Sequence, residues 1–135
     1  MKIKRILFVC KLNRFRSQIA EQFFKKCNKN KNISAESAGV FEGSYPLDKA
    51  EVEVAKSIGI DINKKPRNIS VDFLKDVDLV VIVANDVPKD LFLIDGKYLQ
   101  KVIKWDIEDE YFGDTDNIKN IIGKIETNVK NLIKQ

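Results

Sequence analysis

Behind Asp78 the chain runs LVVIVA (79–84), six apolar residues with no polar position among them. A strand with one wet face alternates polar and apolar residues. An unbroken aliphatic run rich in β-branched residues instead predicts a strand buried on both faces, the habit of parallel sheets. ILFV (6–9) has the same character. Such strands are stable only under helices on both sides, and the intervening segments supply helical patterns. From Ser17 onward, Ile19, Ala20, Phe23, Phe24 and Cys27 recur at helical spacing, fading in NKNKN (28–32). Asp48 to Ile58 reads as a helix with Asp48 as N-cap, Glu51 three residues on and Gly59 as its stop. A short helix is expected over Val71 to Lys75. Ile118, Ile121, Ile122, Ile125, Val129 and Ile133 mark a long amphipathic C-terminal helix. ISAESAG (33–39) and LQKVIKW (99–105) add two weaker strands, with a turn over Asn85 to Asp90. The 135 residues therefore predict one α/β domain over 1–135, a four-stranded parallel sheet with helices on both faces.

Several classes are set aside by composition. No stretch approaches the roughly 20 apolar residues of a membrane span. The basic start and the brief run Ile6 to Val9 fall short of a signal peptide, whose apolar region needs roughly 7 to 15 residues, so the chain reads as cytoplasmic. Net charge is +4, but the lysines are spread and interleaved with acids, unlike a nucleic-acid surface. Neither nucleic acid nor membrane is expected as a partner, and the chain is expected to act as a monomer. Cys10 and Cys27 are its two cysteines, too few for a disulfide framework, and there is no histidine. Without histidine or a CxxC pair, neither a metal site nor another cofactor is expected.

In parallel sheets ligands bind at the carboxyl ends of the strands, and the first strand ends in CKLNRFRS (10–17). Lys11, Leu12, Asn13, Arg14, Phe15 and Arg16 would form a loop wrapped before a helix. Its consecutive backbone N–H groups and the positive helix end suit an anion. Arg16 adds a planar fork able to bond two phosphate oxygens at once. The same field favours the thiolate of Cys10, and the Ser17 hydroxyl is placed to steady it.

V-C-x5-R-S near the amino terminus, after a short strand, resembles the low-molecular-weight protein tyrosine phosphatases and the related thioredoxin-coupled arsenate reductases. The resemblance runs nearly the whole chain: SAG (37–39), GID (59–61) followed by Arg67, DLVVIV (78–83), and WDIEDEYFGD (105–114), which sits where the family carries an Asp-Pro-aromatic loop. It implies the strand order 2-1-3-4. It also implies Cys10 as nucleophile, Arg16 and the loop amides as phosphate ligands, and Asp109 as general acid and base ahead of Asp106, Asp114 and Asp116. Asn13 and Ser37 would brace the loop. Arg14, Phe15, Phe41, Tyr45, Tyr111 and Phe112 would wall a site for a phosphotyrosine protein or small aryl phosphate, with inorganic phosphate as product. Four positions depart from the pattern: Leu12 for a glycine, Phe15 for a second loop cysteine, Glu110 for the proline after the acid, and Lys64 for a histidine. Two rival readings keep the same anion loop. One is an arsenate reductase, which needs further thiols where the chain offers Cys27; the other is a non-hydrolytic phosphoryl carrier or phosphate-binding module.

Overall fold

The computed structural model describes residues 3–41 and 46–135. In chain order these residues form β1 (Arg5–Cys10), α1 (Arg16–Cys27), β2 (Ser34–Gly39), α2 (Lys49–Ser57), α3 (Val71–Leu74) and β3 (Leu79–Val83). A 3-10 turn (Lys89–Phe92), β4 (Leu93–Ile94), β5 (Lys97–Tyr98), β6 (Lys101–Trp105) and α4 (Thr115–Ile133) complete the described elements. Among the described residues no helix is long and apolar enough to cross a membrane.

The main sheet has the order β2-β1-β3-β6, and every pairing in it is parallel. This is the expected 2-1-3-4 order, with the last strand numbered sixth because a small antiparallel hairpin, β4–β5, precedes it. The hairpin is an addition to the elements expected from sequence. Its cause is Asp95-Gly96, where both residues take left-handed backbone, φ 52° and 76°, as the tightest hairpin turns require.

The pleat of the central strands sorts the core into two layers. Ile6, Phe8, Leu79, Val81 and Val83 join Ile19 and Phe23 of α1, Val54 and Ala55 of α2, and the buried isoleucines of α4. Leu7, Val9, Val80 and Ile82 turn the other way, onto Val77, Val87 and Phe92, with Phe73 and Leu74 of α3 packed beside them. All five residues of β3 are buried, which is why its sequence lacks alternation. Parallel register then brings the carboxyl ends of β1, β3 and β6 together, with Cys10 beside Gly39 and Val9 beside Ile82. The segments leaving those ends carry Asp86 and Asp109.

Candidate active site

The loop between β1 and α1 is held from behind by its own side chains. Asn13 takes left-handed backbone, φ 59°, and its amide Nδ2 donates to Ser17 Oγ at 2.7 Å and Ser37 Oγ at 3.0 Å. Its Oδ1 accepts from the backbone N–H of Arg67 at 3.0 Å. Gln18 Nε2 donates to the carbonyls of Asn13 and Lys64. Ser37 in turn donates to the buried Glu21, which also receives Lys25 and Lys64. Burial alone would push the Glu21 carboxyl up, but those three donors hold it below the usual carboxylate range. Lys64 therefore occupies the bracing network at the position where the family often has a histidine. The positive φ falls on Asn13 and not on Leu12, so the Cβ of Leu12 is accommodated without strain. Gly39 lies so close that a Cβ there would sit 2.8 Å from the carbonyl carbon of Leu12.

The front of the loop is arranged differently. α1 begins at Arg16 with Phe15 as N-cap, no side-chain cap and no acid in its first turn. Its leading N–H groups thus keep their capacity for an anion. Cys10 Sγ lies 3.0 Å from Ser17 Oγ. The Asn13 bond uses the hydroxyl oxygen as acceptor and leaves its proton free to donate to a Cys10 thiolate. Arg16 is 2% exposed, and its guanidinium is fixed by three acceptors: the carbonyl of Ile107 at 2.9 Å, Asp86 Oδ1 at 3.0 Å and Asp109 Oδ2 at 3.4 Å. Cys10, Arg14, Arg16, Asp109 and Tyr111 line one cavity of about 120 Å³, together with Leu12, Phe15, Asp48, Glu51 and Glu110.

Of the four aspartates weighed on the segment after β6, Asp109 lines this cavity among the described residues. Asp114 instead caps α4, accepting from the N–H groups of Asp116 and Asn117, and Asp106 and Asp116 are exposed. Glu110 accepts from Asn117 Nδ2 and from the N–H groups of Phe112 and Asp114. The Asn117 bond first, and then that of Phe112, holds its carboxyl below the usual range. A carboxylate thus anchors the turn where the family pattern has a proline ring.

The aromatic wall is thinner than the sequence suggested. Phe15 is 3% exposed and packs in the core cluster instead of projecting from the loop, while still lining the cavity. Phe112 is 94% exposed and lies outside the lining. Phe41 sits under Lys11, whose Nζ is 5.1 Å from the ring centroid, and Tyr45 lies outside the described residues. Tyr111, with Arg14 and Phe15, lines the cavity as expected, and of the two rings Tyr111 is the exposed one.

Two acids were not legible as site residues. Asp86, just beyond β3, anchors Arg16; its place at the carboxyl end of the most apolar strand was the available signal. Glu51 was read as the third member of a capping box. Asp48 Oδ1 does accept from the Glu51 N–H, but among the described residues no bond returns from the Asp48 N–H to the Glu51 carboxyl. It points to the cavity, 5% exposed. Burial pushes it up to about 8, with the charges of Asp48 and Asp109 adding to the effect.

Comparison with known proteins places this geometry. Residues 5–135 match the family described as low molecular weight phosphotyrosine protein phosphatase. An arsenate reductase of Staphylococcus epidermidis is 33% identical over 93 residues, a span of 66% of either chain. A glutaredoxin arsenate reductase of Synechocystis is 26% identical over 97% of both chains. The crystal structure of a low molecular weight protein tyrosine phosphatase from T. tengcongensis, 31% identical, superposes with a TM-score of 0.83 over 96% of this chain and 97% of its own.

Proposed function

The chain belongs to the low molecular weight phosphotyrosine protein phosphatase family, and from that premise we propose that it hydrolyses phosphotyrosine or a small aryl phosphate through a cysteinyl-phosphate. The supporting observation is that Cys10, Arg16 and Asp109 line one cavity, with Arg16 held at its wall by Asp86. In the first step the Cys10 thiolate attacks phosphorus and the bond to the phenolic oxygen breaks. Arg16 and the N–H groups of the loop neutralise the equatorial oxygens. Asp109 gives its proton to the departing oxygen. In the second, Asp109 takes a proton from water, the water oxygen bonds to phosphorus, and the sulfur leaves as a thiolate steadied by Ser17. Inorganic phosphate departs. A cavity of about 120 Å³ holds the phosphoryl group, and the ring of the substrate rests outside it against Tyr111.

A second reading, arsenate reduction, is favoured by three curated relatives, each of which carries that name. It places arsenate in the same cradle and requires a thiol to resolve the adduct on Cys10. Cys27 closes the far end of α1, about 16 Å along the helix from Arg16, so the resolving thiol would come from another molecule. One experiment separates the readings: hydrolysis of para-nitrophenyl phosphate without added metal, beside arsenate consumption with glutathione and a glutaredoxin. The phosphatase reading expects multiple turnovers of the ester, none for Cys10→Ser, and a loss of about 100-fold for Asp109→Ala. Thiol-dependent arsenate turnover without ester hydrolysis replaces it with the reductase. A single stoichiometric burst replaces both with a phosphoryl carrier.

A further inference from the structure

The cavity holds more carboxyl groups than the proposed chemistry uses. Asp109 has its role, and Glu110 is spent on the turn before α4. Asp48 caps α2. Glu51 remains, buried in the first turn of α2 and facing the place where a phosphate would enter.

We propose that Glu51 is the acid that decides whether this site admits a dianionic phosphate group: protonated, it admits the anion and can donate a hydrogen bond to it; ionised, it excludes it. The inference rests on the anion-cradle part of the reading above and not on turnover.

The groups facing Glu51 set the electrostatics. The loop contributes Cys10, Arg14 and Arg16, the N-cap contributes Asp48, and the segment after β6 contributes Asp109, Glu110 and Tyr111. Among the described residues, α4, which packs on α2, adds no charged group to this lining. Arg16 is already matched by Asp86 and Asp109. Arg14 is a cation whose charge acts on Glu51, yet no ion pair joins the two among the described residues, and the Arg14 Nε is buried without a hydrogen-bond partner. An ionised Glu51 would therefore be a desolvated charge beside three other carboxylates. An incoming dianion shares the cavity with it, and near a buried carboxylate like charges are poorly screened and repel. The neutral acid removes that repulsion and supplies a donor. Its midpoint near pH 8 puts the change within reach of a binding experiment, and the part of the profile above it reads a phosphate that is already dianionic.

The test is the affinity of inorganic phosphate, read as protection of Cys10 from a neutral alkylating reagent and repeated as a thermal shift. It runs from about pH 7.5 to about pH 9.5 on wild type, Glu51→Gln, Glu51→Ala and Asp109→Asn. Wild type is expected to lose affinity by roughly tenfold per pH unit above the midpoint, as loss of one required proton demands. Glu51→Gln and Glu51→Ala should hold a flat affinity over that range, and Asp109→Asn should keep the wild-type slope. A flat wild-type profile overturns the proposal, and so does a Glu51→Gln profile that falls as wild type does. The wild-type arm decides even if a variant fails to fold. A phosphate affinity that follows Glu51 in a protein that turns over no ester removes the phosphatase reading and keeps this one. Turnover with a phosphate affinity indifferent to Glu51 does the reverse.

Discussion

Asn13 illustrates how much of the site hangs on single side chains. It bears a left-handed backbone and three hydrogen bonds that tie the loop to α1, β2 and the segment of Arg67. Asn13→Ala would leave buried partners unsatisfied and put in left-handed backbone a residue that tolerates it less well than asparagine. A loss of about 2–4 kcal/mol is expected in urea unfolding. Asn13→Gly relieves the backbone part alone and should recover about 1 kcal/mol of it. Glu51 makes a prediction of opposite tendency. Its carboxyl is raised from 4.5 to about 8, so the folded protein keeps a proton that the unfolded chain releases. Stability should therefore fall as pH rises from about 4.5 through 8 and level off above, a penalty that Glu51→Gln escapes. At pH 9 that variant should exceed wild type by up to about 5 kcal/mol in chemical denaturation. Cys10, Arg16 and Ser17 were legible in sequence because the loop that unites them is local. Asp86 and the inward turn of Glu51 were not, since each depends on which strand end or helix face meets the loop in space.

At the level of elements, the cradle is made by the fit between β1, β2 and the start of α1. Cys10 and Gly39 are register partners, and the hydrogen of Gly39 is what lets Leu12 and Asn13 approach. A methyl at this position meets backbone, which cannot swing aside as a side chain could. Gly39→Ala should push the loop away from β2 and weaken phosphate binding by tenfold or more, measured by the same Cys10 protection. Its loss of global stability should stay near the 1–3 kcal/mol of a modest overpacking. The sequence announced β2 and its terminal glycine but not this contact, because a close approach between chain segments leaves no periodicity. The β4–β5 hairpin was not expected from sequence: its strands are two residues each, too short for an alternating pattern to register. The turn after Asp109 shows substitution of means at one position: Glu110 fixes through hydrogen bonds what a proline would fix through its ring.

For the whole molecule, the order β2-β1-β3-β6 gathers three strand ends on one edge of a sheet whose core is otherwise closed. The fully apolar strands, legible from their lack of alternation, made the parallel architecture readable before any site was considered. The aromatic wall was misjudged at Phe15, since a ring beside a catalytic-looking loop and a ring completing the core of α1 look alike in sequence; burial separates them. What remains is a small polar chamber built from one thiol, two arginines and four carboxyl groups, framed by a fold that relatives of both kinds share. The central claim is that this chamber forms and hydrolyses a phosphate ester of Cys10. The most direct measurement is rapid acid quench of the protein during para-nitrophenyl phosphate turnover, followed by mass spectrometry of the peptide containing residues 10–17. The account predicts one phosphoryl group on Cys10, transient in wild type, accumulating in Asp109→Ala and lacking in Cys10→Ser. Sustained turnover with Cys10 unmodified at every quench time would contradict it.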